Sequence, residues 1–513
     1  MAPDLAPIET AVLASLRSAA VFGIDAYAVH IEVDVAFGLP HFCMVGLPDA
    51  TVRESRDRVR SAIRNSGFEF PRHRITVNLA PADVRKAGSS FDLPIALGLL
   101  AVSGPLTRRS VDDTVIVGEL SLDGGINGIR GVLPIAVGAR RLGLKRLLLP
   151  PQNAAEASVV EGLDVCVAQS LAEAVAALNE PQQARRASRG AAAPTEHAAE
   201  SDLSEIRGQF LARRALEVAA AGGHNLLLSG PPGTGKTMLA RRLGTILPPL
   251  TFDEALECTA IHSVAGTLPA DQGLLTERPF RAPHHTISTV ALVGGGSIPR
   301  PGEVSLAHHG VLFLDEMPEF DRRVLEVLRQ PLEEGRVTVA RAARTAVFPA
   351  CFMLVGAMNP CPCGFAGDDR HCCRCTPIQI ANYQNRLSGP LRDRIDLIVD
   401  VPAVPVASIV DGVSGETSTT VRERVIAARV AQQHRYGNGG PRNNAALRGS
   451  RVATFCRPDS NGRQLLRRAV ERLGLSARGY DRVLKVARTV ADLVGDDQVR
   501  SEHVAEALHY RVG

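Results

Sequence analysis

A glycine-rich loop lies in the middle of the chain, at Gly230-Pro231-Pro232-Gly233-Thr234-Gly235-Lys236-Thr237. It follows the apolar run 225–228 and precedes a helical stretch, which is the strand–loop–helix context that a phosphate loop requires. The glycines let backbone N–H groups turn towards phosphates, Lys236 can reach the terminal phosphates, and the Thr237 hydroxyl can bind Mg²⁺. The loop therefore predicts a parallel α/β core that binds ATP and Mg²⁺.

A second motif, at 311–316, is an apolar strand that ends in the carboxylates Asp315 and Glu316. Asp315 is expected to lie beside the Mg²⁺ and Glu316 to polarise the attacking water. Many buried strands end in acids, but this strand lies 79 residues after Lys236, downstream of a complete phosphate loop. Because a separate carboxylate is available as the base, the two motifs together predict ATP hydrolysis and not binding alone.

Two later segments fit the same chemistry. The strand-like run 352–357 leads to Asn359, whose amide can hold the lytic water, although a turn-forming Asn before Pro360 is the alternative. The segment 387–396 places Arg392 and Arg394 at a helix end. An arginine supplied across a subunit boundary neutralises charge in the transition state of phosphoryl transfer. That role requires a ring of subunits.

Apolar patterns divide the chain into three folded segments and one linker. Residues 1–178 alternate strands and helices, 179–202 form an Ala-, Arg-, Gln- and Pro-rich linker, 203–402 form the α/β core, and 403–513 are helical. The predicted N-terminal strands are 28–35, 74–79, 114–117 and 146–149, and its helices lie near 52–65 and 170–177. The predicted C-terminal helices are 421–433, 462–473, 480–494 and 501–510. Loops are predicted at 405–420 and 436–444.

Composition points to an ordinary globular protein, with 45% hydrophobic and 22% charged residues. The net charge is only +4, but residues 420–513 carry 18 Lys and Arg against 9 Asp and Glu. A basic segment suits nucleic acid, and a solvated helical surface is the alternative.

The longest apolar run, 93–102, is too short to span a bilayer. Because Asp4 and Glu9 replace the basic region of a signal peptide, we expect a cytoplasmic protein without membrane contact.

Five of the ten cysteines fall between Cys361 and Cys375. Cys361 and Cys363 form one pair, and Cys373 and Cys375 form a second pair after a short polar loop. Four converging thiolates satisfy tetrahedral Zn²⁺. Cys372 is a fifth thiol and leaves the choice of ligands ambiguous. The cluster predicts a structural zinc site, with a metal-free or redox-labile loop as the alternative.

Further motifs are shared with a known family. They include Arg278-Pro279-Phe280-Arg281-Ala282-Pro283-His284-His285-Thr286, Gly302-Glu303-Val304-Ser305-Leu306-Ala307-His308-His309-Gly310, and segments 46–49, 54–56, 78–82, 91–94, 294–296 and 475–482. With these motifs the chain resembles the ComM/YifB family of magnesium-chelatase-like AAA+ ATPases. The resemblance runs nearly from end to end and is broken only in the linker.

The resemblance implies an N-terminal Lon-protease-like α+β domain, an AAA+ P-loop α/β core and a C-terminal helical lid, assembled as a homo-hexameric ring. It places the sensor at Asn359, the arginine finger at Arg394 and the lid sensor at Arg478, with Arg392 kept as a second candidate for the finger. Members of the ComM branch resemble DNA helicases that promote branch migration while transforming DNA is integrated. DNA is thus the expected partner, bound independently of sequence.

The family pattern also bears on the cysteines and on the pore of the ring. It favours Cys361, Cys363, Cys373 and Cys375 as the zinc ligands. Residues 281–297 would form an insertion that faces the pore. There, His284 and His285 are candidates for substrate contact, and a structural turn is the alternative reading.

The N-terminal domain lacks a complete peptidase pair. Its Gly88-Ser89-Ser90 turn resembles the serine segment of Lon-type proteases, which also need a lysine as general base. No lysine occurs between Lys86 and Lys145. Arg130 cannot replace it, because a guanidinium stays protonated. We therefore expect an inactive domain that serves as a scaffold or in ring assembly.

Two other functions remain as alternatives. A chelatase-type motor subunit, or another AAA+ ATPase of that kind, would remodel a partner protein instead of DNA. An ATP-dependent Lon-like protease would need its missing lysine from an unexpected position.

Overall fold

The computed structural model describes residues 12–84, 86, 88–107, 111, 113–187, 202–296, 299–340, 345–368, 370–404, 414–437 and 439–511. Several sequence-based predictions lie partly outside these residues. They include the linker, at 188–201, the loop 405–420, at 405–413, the loop 436–444, at 438, and the pore insertion, at 297.

The N-terminal unit is built on a mixed seven-stranded sheet in the order β3-β4-β2-β1-β5-β8-β9. Its strands are β1 Val12–Phe22, β2 Asp25–Ala36, β3 His41–Val45, β4 Arg74–Ala80, β5 Thr114–Ile116, β8 Arg146–Leu149 and β9 Asp164–Val167, with a small separate pair, β6 Glu119–Leu120 and β7 Ile126–Asn127. Its helices are α1 Ala50–Asn65, α2 Asp92–Ser103, α3 Val132–Arg141, α4 Ala154–Ala157 and α5 Leu171–Asn179. Helices α1, α2 and α5 cover one face of the sheet, and α3 and α4 cover the other.

Helix α2 forms the centre of this unit. Every residue from Asp92 to Ala101 is buried, because the helix is apolar on all sides and packs against β1 and β2. A helix that is hydrophobic all round belongs inside a protein. The longest apolar run of the sequence is thus a buried helix.

The middle segment is a three-layer α/β unit around a parallel five-stranded sheet in the order β11-β14-β17-β10-β18. These strands are β10 Leu226–Ser229, β11 Phe280–Arg281, β14 Val311–Leu314, β17 Met353–Met358 and β18 Leu397–Asp400. Two antiparallel pairs lie outside the sheet, β12 Gly294–Gly295 with β13 Arg300–Pro301, and β15 Arg336–Ala340 with β16 Thr345–Pro349. The helices are α6 Phe210–Gly222, α7 Lys236–Ile246, α8 Phe252–Ala265, α9 Thr289–Val293, α10 Glu303–Leu306, α11 Arg322–Glu326, α12 Arg329–Glu334, α13 Pro377–Gln384 and α14 Gly389–Arg392.

The C-terminal segment is helical and shares its core with one face of this sheet. Its helices are α15 Ser418–Tyr436, α16 Ser450–Phe455, α17 Ser460–Leu473, α18 Ala477–Val494 and α19 Ser501–His509. Their buried Val, Leu and Ala side chains join those of α6, α7 and β10 in one hydrophobic cluster. Helices α9 to α14 cover the opposite face.

The predicted parallel α/β core and helical C-terminal region are confirmed. One local prediction is wrong, and another is modified. The start of the linker is exposed, but it pairs with the N-terminal sheet, because Arg185 O accepts from the Val167 N–H and the Ala187 N–H donates to Val165 O of β9. The loop predicted at 405–420 ends before Ser418, because Thr417 caps α15 there. Among the helices that the structure describes, none combines the length and apolarity needed to cross a membrane.

Candidate active site

The phosphate loop joins β10 to α7 at the carboxyl edge of the core sheet. Gly233 and Gly235 have φ angles of 79° and 87°, a left-handed conformation in which glycine carries no steric penalty. Lys236 is the first residue of α7. Its Nζ donates to the carbonyl oxygens of Gly230, at 2.7 Å, and Pro231, at 2.8 Å. The loop therefore keeps this ammonium group in its centre.

Burial lowers the pKa of Lys236, and the nearby carboxylates Asp315 and Glu316 act in the opposite direction. Desolvation disfavours the charged form of a lysine, so an arriving anion such as phosphate gains more from this cation than it would in water. The arrangement suits capture of a polyphosphate.

Asp315 and Glu316 follow β14, the strand two places from β10 in the sheet. Thr237 Oγ1 donates to Asp315 Oδ2 at 2.7 Å, so the predicted Mg²⁺ ligands already lie together. Glu316 adopts a left-handed backbone with φ of 50°, its N–H donates to Asp315 Oδ1 at 3.0 Å, and its side chain is exposed. Hydroxyl and carboxylate oxygens are the ligands that Mg²⁺ prefers. The pair can hold Mg²⁺ while Glu316 is open to solvent.

Asn359 comes directly after β17, the strand between β10 and β14. Its Oδ1 accepts a hydrogen bond from Lys236 Nζ at 3.2 Å. The structure thus brings Lys236, Thr237, Asp315, Glu316 and Asn359 together at one edge of the sheet, as the sequence predicted.

Gln209 is a residue of this edge that the sequence analysis missed. It precedes α6 with φ of 51°, and its Nε2 donates to Pro402 O at 2.6 Å and lies 3.4 Å from Thr234 O. The side chain ties the phosphate loop to the chain that leaves β18. The adjacent Phe210 is 80% exposed, an unusual position for a large aromatic residue. The left-handed φ is invisible in the sequence, which explains the omission.

Arg394 lies at the opposite, amino edge of the sheet. The carbonyl oxygen of Arg394 accepts a hydrogen bond from the side chain of Asn225, the residue before β10. Arg394 itself lies shortly before the start of β18. At about 3.3 Å per residue, the four residues of β18 alone separate it from the phosphate-loop edge by roughly 13 Å. Arg392, by contrast, lines a cavity that also contains Gly230 and Pro231. The two arginines therefore face different edges.

Arg478 opens α18 and lies in the same cleft as Arg394. We name this the arginine cleft; its cationic lining is Arg278, Arg394, Arg429, Arg442, Arg448, Arg478, Arg482 and Lys485. Arg482 forms an ion pair with Asp396, with 3.2 Å between Nε and Oδ1. Its Nη1 is nevertheless buried without a hydrogen-bond partner among the described residues. The structure therefore does not bring Arg394 and Arg478 to the phosphate loop of their own subunit.

The sulfur atoms of Cys361, Cys363, Cys373 and Cys375 all lie within 4.8 Å of one another. The Sγ–Sγ distances are 3.3 Å for 361–363, 3.7 Å for 361–373 and 3.6 Å for 363–373. Four thiolates at about 2.3 Å from Zn²⁺ in a tetrahedron are about 3.8 Å apart, so these residues fit the ion. Cys372 is exposed and its thiol points to Cys373 O, outside this group.

The environment of Cys363 favours a metal-binding thiolate. Backbone N–H groups of Phe365 and Arg374 lower the pKa of its thiol to about 6. Hydrogen bonds to the charged form stabilise it. The cysteine segment also contacts the phosphate loop, because a Cβ atom placed on Gly364 would lie 2.7 Å from Pro232 Cδ.

A second group of metal-ligand types, Glu257, His308 and His309, lies at the amino edge. The backbone N–H of Cys351 donates to His308 Nδ1 at 3.0 Å, so the proton of the neutral ring is on Nε2, which lies 3.0 Å from Glu257. A ligating histidine needs that nitrogen free. Burial lowers the pKa of His308 to about 4. The group is therefore better explained as a hydrogen-bonded contact, completed by Arg442 from the C-terminal segment.

Other predicted residues lie apart from the phosphate loop. His284 is exposed and its Nδ1 is 3.0 Å from Thr286 Oγ1, which is a turn contact. In the N-terminal unit, Ser89 donates to Glu119, and Lys86 donates to Pro81 O. Lys145 immediately precedes β8, so it lies at the amino end of that strand. The carbonyl oxygen of Ser90 accepts a hydrogen bond from the N–H of Gly118, which lies beyond the carboxyl end of β5, and β5 runs parallel to β8. Lys145 and Ser90 thus lie at opposite edges of that sheet.

Three family models match the chain. They are magnesium chelatase, subunit ChlI, over residues 202–409, subunit ChlI of Mg-chelatase over 31–153, and the C-terminal model of the same subunit over 415–511.

Curated relatives match over almost the whole length. The chain is 46% identical to the YifB protein of Salmonella typhimurium and 46% identical to the competence protein ComM of Haemophilus influenzae, and each match covers 97% of both chains. A shorter match, 32% identical over 133 residues, links 24% of this chain to 16% of the Lon protease of Chloroflexus aurantiacus.

Proposed function

Because the chain belongs to the ComM/YifB family of magnesium-chelatase-like AAA+ ATPases, we propose that it is an ATP-hydrolysing motor that works as a homo-hexameric ring on DNA. The observation that carries the proposal is the placement of two functional groups at opposite edges of one sheet. The phosphate loop lies at the carboxyl edge, and the arginine cleft lies at the amino edge.

ATP is proposed to bind at the carboxyl edge. Residues 230–237 enclose the phosphates, and Lys236 leaves its carbonyl partners to bind the terminal phosphates. Thr237 and Asp315 would hold Mg²⁺, which would offset the charge of the phosphate oxygens. Glu316 accepts the proton of the attacking water, and Asn359 orients that water.

The arginines are proposed to complete the site of a neighbouring subunit. Arg394 would contact the terminal phosphate as the arginine finger, and Arg478 would assist from the same cleft as the lid sensor. Since both lie away from their own phosphate loop, each active site would require two subunits. The unpartnered Nη1 of Arg482 supports arrival of an anion in this cleft.

DNA is the proposed substrate, in branched or single-stranded form and without sequence preference. Helix α17 supports this, since Arg463, Arg467, Arg468 and Arg472 are exposed on it against the single acid Glu471. Contacts to backbone phosphates give salt-sensitive binding that ignores sequence. The ComM relative is called a competence protein, which is consistent with a role in handling DNA, and we propose branch migration as that role.

We propose domain boundaries at 1–178, 203–402 and 403–513, joined by the linker 179–202. The N-terminal domain is proposed to be Lon-like and inactive as a peptidase, because Lys145 lies across the sheet from the Ser89–Ser90 turn. Its remaining role is as a scaffold: Gly131 N–H donates to Ser263 O at 3.1 Å, which joins it to α8 of the core.

Zn²⁺ is proposed to bind Cys361, Cys363, Cys373 and Cys375 as a structural ion. It would hold the segment between Asn359 and Arg394 in a fixed shape.

A ring that remodels a partner protein is the second candidate function, favoured by the match to magnesium chelatase models.

Strand exchange on a synthetic mobile four-way DNA junction tests the proposal. ATP-dependent dissociation by the parent protein, with none by Lys236→Ala, is the expected result. DNA-independent ATP hydrolysis by an assembled ring, without any junction dissociation, would instead favour protein remodelling.

A further inference from the structure

Glu333 is an acidic residue of the arginine cleft with no role in the chemistry described above. It lies in the last turn of α12, and its carboxylate accepts a hydrogen bond from Arg394 Nη2. Its backbone carbonyl accepts from Arg448. The Glu333 side chain is 51% exposed, whereas that of Arg394 is 13% exposed. One residue thus holds an arginine from the core and one from the C-terminal segment.

The backbone fixes this residue firmly. Gly335, with φ of 68°, caps the C-terminus of helix α12, and Cys351 Sγ lies 3.3 Å from Gly335 O. Arg394 is fixed as well, because its Nη1 donates to Pro390 O at 2.7 Å. The ion pair therefore joins two segments whose backbones are already fixed, so its remaining entropic cost is that of ordering the Glu333 side chain.

The charges around Glu333 are unbalanced. Arg394, Arg478 and Arg448 all lower the pKa of its carboxyl, in that order of effect. Three guanidinium groups therefore face one carboxylate. A phosphate group presents two acceptor oxygens to an arginine, as a carboxylate does, and it carries more charge. An arriving terminal phosphate would compete with Glu333 for the same donors.

We propose that Glu333 is a positioning residue that occupies the place of the neighbouring subunit's terminal phosphate until nucleotide arrives. The inference rests on the proposed function, in which Arg394 acts across the subunit boundary. Glu333 keeps Arg394 oriented and neutralised in the isolated subunit. Binding of ATP next door then requires exchange of this carboxylate for a phosphate oxygen.

The variant Glu333→Gln tests this idea through steady-state ATP hydrolysis at fixed protein concentration. Loss of the competing charge should lower KM for ATP by about two- to fivefold, the scale of an exposed ion pair, without lowering kcat. The ATP concentration at which rings assemble, measured by light scattering, should fall by the same factor. A merely structural role would lower kcat or thermal stability and would not produce this split.

Two further variants serve as controls. Glu333→Asp keeps the charge and should restore a KM close to that of the parent protein. Glu334→Gln removes the adjacent carboxylate, which also borders the cleft but pairs with Arg336 at 3.3 Å and not with Arg394, and should change neither constant. In an Arg394→Ala background, Glu333→Gln should have no additional effect on KM, since the two residues act as a pair.

The outcomes separate this inference from the proposed function. If Arg394→Ala lowers hydrolysis but Glu333→Gln leaves KM and assembly unchanged, or lowers kcat, Glu333 is not a substitute for phosphate and only this inference fails. If Arg394→Ala itself leaves hydrolysis unchanged, the two-subunit active site is wrong.

Discussion

The two edges of the core sheet differ in how their functional residues are encoded. At the carboxyl edge, the predicted catalytic residues sit in short motifs just after strands, as with Lys236 after β10 and Asn359 after β17, and Gln209 before α6 is the exception. At the amino edge, the arginine cleft combines Arg394 of the core with Arg448 and Arg478 of the C-terminal segment. The first edge is local in sequence, and the second exists only after folding.

This difference has a functional meaning in our account. The carboxyl edge contains everything needed to bind ATP and Mg²⁺ within one subunit. The amino edge contains cations that have no phosphate of their own to contact. Binding is therefore expected to be a property of the single chain, and rapid hydrolysis a property of the ring.

The largest expected effect comes from the amino edge. Arg394→Ala should lower kcat for ATP hydrolysis by about 10³-fold or more, because an arginine finger contributes that scale to phosphoryl transfer. ATP binding to the isolated subunit should persist. Arg392→Ala changes an arginine two residues away that faces the carboxyl edge, and it should lower kcat much less. If Arg392→Ala lowered kcat more than Arg394→Ala, Arg392 would be the finger.

The carboxyl edge should respond differently to a change of its base. Glu316→Gln should lower hydrolysis by at least about 10²-fold, the usual contribution of a general base, while ATP still binds and stabilises the ring. Nucleotide retention and rate are measured together with labelled ATP. Hydrolysis at the parent rate would show that another residue is the base.

The cysteine group offers a test through metal content. Cys375→Ser should remove zinc, measured by atomic absorption, from a value of about one ion per chain in the parent protein. Cys372→Ser is the matched control and should keep the ion, since Cys372 lies outside the four thiols. Loss of zinc in the control, or its absence from the parent, would contradict the ligand assignment. If Cys375→Ser loses zinc and its cooperative ATPase kinetics stay unchanged, the zinc site does not affect communication between the subunits of the ring.

The smallest of these four effects is expected where the cysteine segment touches the phosphate loop. Gly364→Ala should weaken ATP affinity by about tenfold, since its Cβ would displace Pro232 and such overpacking costs roughly 1–3 kcal/mol. Gly367→Ala is the control: it has a similar φ of 78°, but nothing lies within 4 Å of the added atom. Equal loss of affinity in both variants would mean that backbone strain, and not contact with the loop, is responsible.

Sequence reasoning located the carboxyl edge because strand ends and motifs coincide there. It placed β8 at residues 146–149 and β4 within one residue of its end. It missed β1, whose mixed Ala and Ser pattern carries little apolar alternation, and the pair β15 and β16. Short antiparallel strands depend on their partner more than on intrinsic preference.

The amino edge was only half accessible from sequence. Arg394 was one of two arginines expected at a helix end, and its choice as the finger, like the role of Arg478, came from the family resemblance; their common cleft was not expected. Glu333 was missed altogether, because an acid at a helix end is usually a solvated residue. Only the fold brings it to Arg394, 61 residues further along the chain.

Complementation between two inactive variants tests the central claim most directly. Lys236→Ala supplies an intact Arg394 without a working phosphate loop, and Arg394→Ala supplies the reverse. In a random equal mixture, roughly a quarter of the interfaces in a cyclic ring would pair both intact halves. Our account predicts that ATP hydrolysis reappears on mixing. If mixed rings form and remain as inactive as the separate variants, Arg394 does not act on the neighbouring subunit and the account is contradicted.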